Sequence, residues 1–177
     1  MEHKPNDALL RASVILLWVF MAIFAAGAVL IAGGLGIFFV WQTGMLGPIP
    51  ATASGLDPAS APELPLAMVL AMTATLMAFR FAQLLSQIVR SIAEGDPFTR
   101  ENSVRLHTMA LLALAYQAVS AGLFLLGITV ARIAPLEALV SGDDLSLSSL
   151  FLSLTLFILA RVFRHGAAMR ADLEGTV

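Results

Sequence analysis

The sequence has no cysteine, and it has little charge. Without cysteine there is no disulfide framework, no thiolate-ligated zinc and no thiol nucleophile. Only 12% of the 177 residues are charged, about half the share of an ordinary soluble domain. So little charge cannot cover a water-facing surface of this size. It also excludes a disordered polyelectrolyte, a domain with a basic nucleic-acid face and most soluble enzymes. Histidine is scarce too: His3, His107 and His165 show neither the His-x-x-x-His nor the Glu-x-x-His spacing that puts two ligands on one helix face. No metal and no cofactor is expected. What the chain does have is apolar mass, 59% of residues with a mean hydropathy of +0.89, and this composition belongs to an integral membrane protein.

A spanning helix needs about 20 predominantly apolar residues, because a helix rises about 1.5 Å per residue through a hydrocarbon layer about 30 Å thick. An isolated strand would leave its backbone unsatisfied in lipid. Four stretches qualify: about 12–41, 65–85, 109–130 and 145–163. The first is longer than the apolar core of a cleavable signal, about 7–15 residues, and is expected to be retained. The fold expected is therefore all-α, an integral membrane four-helix transmembrane bundle. Trp18 and Trp41 lie near opposite ends of the first span, where interfacial aromatics belong. Small residues recur every four positions at Ala28, Ala32 and Gly36, at Ala118 and Gly122, and at Gly127 and Ala131. This spacing lets helices approach closely in lipid.

Basic residues are segregated along the chain. Lys4 and Arg11 precede the first span. Arg80, Arg90, Arg100 and Arg105 lie at the connection between the second and third, and Arg161, Arg164 and Arg170 close the chain. The loop between the first two spans has none, and the next outer loop has only Arg132. By the positive-inside rule both termini lie in the cytoplasm, with nine basic residues inside and one outside.

Residues 42–64 form a Pro/Ala-rich outer loop, read either as a tether or as a ligand-sensing lip. Residues 86–108 form a cytoplasmic helical connector around Glu94-Gly95-Asp96-Pro97-Phe98-Thr99. Gly95 suits a left-handed helix stop. Asp96 before Pro97 suits an N-cap and first helical position, with Thr99 as the alternative cap. Phe98 is expected to pack back on the apolar face as a wedge. Residues 164–177 form a cytoplasmic tail, read as an interfacial helix end or as a docking arm. Its last residues, from Leu173, have extended character.

Chemistry-bearing residues are few. Arg80, Gln83 and Gln87 share one helical face. With Tyr116, Gln117 and Ser120 they define a possible cytoplasm-facing crevice, and Arg80 alternatively snorkels to the headgroups.

The connector Gly95-Asp96-Pro97-Phe98, followed by Asn102, Arg105 and Leu106, resembles the signature of a family of small four-helix bacterial membrane proteins, domain of unknown function 2975. Phe163-Arg164 with Gly166, and the closing Thr176-Val177, resemble the ending of that family. The resemblance would run from the first helix to the last residue. It implies no enzyme activity, a multi-pass location in the bacterial cytoplasmic (inner) membrane, and association with a small helix-turn-helix transcriptional regulator. The reading favoured is a non-enzymatic membrane sensor or anchor for that regulator, with no direct contact to nucleic acid. Its alternative is a small transporter or ligand-binding membrane protein using the Arg80 crevice. A homo-oligomer stays open in either case.

Overall fold

The computed structural model describes residues 7–45, 63–93, 95, 97–131 and 147–174. The Pro/Ala-rich loop proper, Asp96, the connection carrying Arg132, and Thr176 and Val177 lie outside them. Four helices make up the described chain: α1 Asp7–Gln42, α2 Glu63–Ala93, α3 Arg100–Ala131 and α4 Leu147–Glu174. Among the described residues there is no strand. Each helix contains a segment long and apolar enough to cross a membrane. The helices are longer than the apolar stretches that define them, since hydrogen bonding does not stop where hydropathy does. The fourth shows this best. It continues through Arg161, Arg164 and Arg170 to Glu174, so Leu173 and Glu174 are helical where extended chain is expected. No proline interrupts this stretch and its alanines favour helix.

The chain divides into two compact units. One takes Met1–Ile23, Ala78–Ala115 and Leu147–Val177, the other Phe24–Met77 and Tyr116–Ser146. In the first, Leu84 and Ile88 of α2, Leu106, Met109 and Ala110 of α3, and Leu156 and Ala160 of α4 form the core. Each set recurs at three or four residues and so makes one helical stripe. Phe81, Leu85, Leu112, Phe157 and Phe163 pack against it. Ala110 and Ala160 are almost completely buried, and their small side chains let the backbones of α3 and α4 come close.

In the second unit the close approaches are made by glycines. A Cβ at Gly34 would lie 2.8 Å from Met68 Cε, one at Gly27 3.8 Å from Thr75 Cγ2, and one at Gly122 3.4 Å from Leu70 Cδ1. This corrects the expected stripe on α1. Ala32 and Gly36 are exposed, and among the described residues nothing lies within 4 Å of a Cβ placed at Gly36. The packed row is Gly27 and Gly34, two turns apart, rotated from the four-residue series. Gly122 is packed as expected, and the Gly127–Ala131 side chains lie outside the described residues.

Much of the apolar surface is not covered by protein. Ile15, Leu16, Trp18, Val29, Leu30 and Ile37 of α1 are each more than half exposed. In lipid this costs nothing, because hydrocarbon is as apolar as leucine. Helix association there rests on van der Waals fit and hydrogen bonds, which gives the few buried polar groups unusual weight.

Candidate functional site

The connector and the facing part of α4 form one built structure within the first unit. α2 ends at Gly95, whose φ is +90° and whose N–H donates to the Ile92 carbonyl at 3.1 Å. This is the left-handed stop expected from the sequence. α3 begins at Arg100, capped by Thr99. The Thr99 hydroxyl accepts the Asn102 N–H at 3.1 Å, and the Thr99 carbonyl accepts the Ser103 N–H at 3.2 Å. Thus, of the two caps that the sequence offers, Thr99 closes the helix. Pro97 stands outside the helix, where its lack of an N–H leaves no bond unmade.

Asn102 is the centre of the connector and is completely buried. Its amide nitrogen donates to the Ser91 hydroxyl oxygen and, at 2.9 Å, to the Pro97 carbonyl. Its amide oxygen accepts from Arg105 Nη1 at 2.7 Å. Ser91 in turn donates to the Ile88 carbonyl at 2.7 Å. One side chain thereby ties the end of α2, the turn and the first turns of α3. Both of its N–H groups and its oxygen are engaged, which is the condition for burying an amide without penalty. The next residue, Ser103, is equally buried and donates to the Ala160 carbonyl of α4 at 2.9 Å. Sequence reasoning singled out Asn102 and Arg105 but not Ser91 or Ser103. A serine on a helix carries no signal of its own, although Ser91 and Asn102 flank the Gly-Asp-Pro turn symmetrically enough to have suggested a pair.

Phe98 is the wedge expected, and it packs on α4. Its ring lies 5.0 Å from that of Phe163, tilted by 44°. A Cβ at Gly166 would approach Phe98 Cδ1 to 3.0 Å, so the glycine leaves room for the ring. Phe98 nonetheless remains 44% exposed. It borders a groove of about 990 Å³ between connector and α4, whose walls include Pro97, Val162, Met169, Arg161 and Arg170. Arg164 is exposed and lines two other clefts, on the α3 side of α4. The structure thus brings together Gly95, Pro97, Phe98, Asn102, Arg105 and Gly166, whereas Arg164, two residues before Gly166, is turned to the α3 side of α4. Asp96, Thr176 and Val177 lie outside the described residues.

The crevice residues divide between the two units. In the first, Arg80 is exposed and its Nη1 donates to Gln83 Oε1 at 3.1 Å, while Gln87 is exposed one turn further. In the second, Tyr116 is exposed and Gln117 buried. None of the five lines the three clefts described above.

The family model described as Protein of unknown function (DUF2975) matches residues 49–177. This span holds α2, α3, α4 and the whole connector. It begins after Gln42, so the match is shorter than the resemblance from the first helix onward that the sequence suggests. No curated protein and no solved structure matches the chain.

Proposed function

Because the chain belongs to the DUF2975 family, whose function is unknown, we propose that it is a non-enzymatic membrane sensor or anchor in the bacterial inner membrane. Both termini lie in the cytoplasm, and a cytoplasmic helix-turn-helix regulator docks on the connector and the end of α4. The observation that carries this reading is the groove beside Phe98. A phenylalanine held on a hydrogen-bonded turn, yet left nearly half exposed, is a surface made for something. Val162 and Met169 extend the apolar floor and are more than half exposed, with Arg161 and Arg170 at the sides. A groove with an apolar floor and basic sides suits an amphipathic helix flanked by acids. The regulator itself is what the family resemblance implies.

The mechanism that follows is a two-state one. Phe98 rests on α4 through Phe163 and Gly166, so a shift of α4 changes how the wedge and groove are presented. A signal that favours one placement of α4 would bias regulator binding by its differential affinity for the two states. Co-purification from native membranes with the regulator expressed tests the reading. The regulator is expected to accompany the parent protein and to be lost with Phe98→Asp, and recovery of no soluble partner with the parent would overturn it.

A further inference from the structure

On the α3 side of α4 lies a cleft of about 490 Å³, lined by His107, Phe157, Ala160, Arg161, Arg164 and His165. Among the described residues no carboxylate lines it. Its volume falls in the range of about 300–1,000 Å³ typical of small-molecule sites. A second cleft, about 640 Å³, shares Arg164 with the first and adds Arg100 and Ser103.

The register of the two helices orders these groups along the membrane normal. α3 and α4 run antiparallel, and the Ser103 bond to the Ala160 carbonyl fixes their level. One turn toward the apolar segment of α4, His107 meets Phe157 edge-on at 5.3 Å. One turn the other way come Arg164 and His165 on α4, with Arg100 at the same level on α3. Arg161 is the first charged residue of α4, after the uncharged run 147–160. The cleft therefore sits where hydrocarbon gives way to headgroups, with Phe157 and the His107 imidazole at its deep end and guanidinium groups at its shallow end.

We propose that this cleft is a binding site for an anionic phospholipid. The phosphate lies between Arg161 and Arg164, the acyl chain runs down past Phe157, and the rest of the headgroup extends toward Arg100. Guanidinium groups suit phosphate because they offer several fixed N–H donors and are weakly hydrated. Basic pockets between helices at the membrane surface are well placed to recognise anionic headgroups. The proposal does not rest on the docking of a regulator, although the cleft shares Arg161 and His165 with the groove beside Phe98.

Native mass spectrometry of the full-length protein in detergent micelles tests it, with phosphatidylglycerol and phosphatidylcholine of identical acyl chains as probes. Preferential retention of phosphatidylglycerol is expected. The double change Arg161→Gln with Arg164→Gln is expected to lower that affinity roughly tenfold or more, leaving phosphatidylcholine retention unchanged. Both side chains are exposed, and the helical circular-dichroism signal checks that the fold is kept. Arg90→Gln, on exposed α2 surface away from the cleft, is expected to leave phosphatidylglycerol binding as it was. Equal retention of the two lipids by the parent protein would overturn the proposal. So would full binding by the double variant, or an equal loss in Arg90→Gln. Displacement of the lipid by millimolar inorganic phosphate would assign the site to a free anion instead.

Discussion

Asn102 does what no other side chain of its size can do. It gives two N–H groups to Ser91 and Pro97 and takes one from Arg105. Aspartate has the same shape and none of the donors. Asn102→Asp is therefore expected to set an oxygen against the Pro97 carbonyl and to draw the Ser91 hydroxyl away from the Ile88 carbonyl, at a cost of about 1–3 kcal/mol as buried groups lose their partners. Thermal unfolding in micelles measures this directly. Asn102→Leu tests the same point without adding charge and is expected to fall in the same range. Gly95 and Gly166 are needed for different reasons. The first stands at φ +90°, where a Cβ is strained, so Gly95→Ala is expected to destabilise by about 1 kcal/mol. The second only needs space. Gly166→Ala meets the edge of a half-exposed ring that yields easily, whereas Gly166→Leu is expected to drive Phe98 off Phe163, read as a change in near-ultraviolet circular dichroism.

At the scale of the element, what joins helices here is polar contact and small residues. Ser103 links α3 to α4 by a single hydroxyl. Ser103→Ala is expected to cost about 1 kcal/mol, with faster hydrogen exchange around Ala160 and little change near Ser91. In the second unit Gly34 faces the tip of Met68. Gly34→Ala is expected to be tolerated because a methionine end moves cheaply, while Gly34→Leu should part α1 from α2, visible as lost thermal stability. The four helices were legible in the sequence because hydropathy alone reports them. Gly95 was legible because only a left-handed turn asks for glycine beside Asp-Pro. The α1 packing row was not, since Ala28-Ala32-Gly36 and Gly27-Gly34 are equally good small-residue series and only the neighbour decides between them. Serines 91 and 103 were hidden for the same reason: their role is set by what lies across the interface.

At the scale of the whole molecule, the absence of cysteine becomes an experimental asset. Single cysteines report topology with no background to remove. Met45→Cys, at an exposed site just beyond α1, is expected to react with an impermeant maleimide added to intact cells. His165→Cys is expected to react only after the membrane is opened. The reverse pattern would invert the proposed orientation and move the connector to the outer face.

The Asn102 node also bears on the order in which the chain is made. Among the described residues its bonds fall between Ile88 and Arg105, so the hairpin of α2 and α3 contains its own fastening. It can close while α4 is still being translated, because contacts this near in sequence pay little loop entropy. α4 then arrives as a late passenger and berths against a hairpin already shut, through the Ser103 hydroxyl and the Phe98 ring. A ribosome-nascent chain stalled before α4 emerges should accordingly already show the Asn102-dependent protection of the connector. Errors of biogenesis should leave the last helix adrift and the hairpin intact.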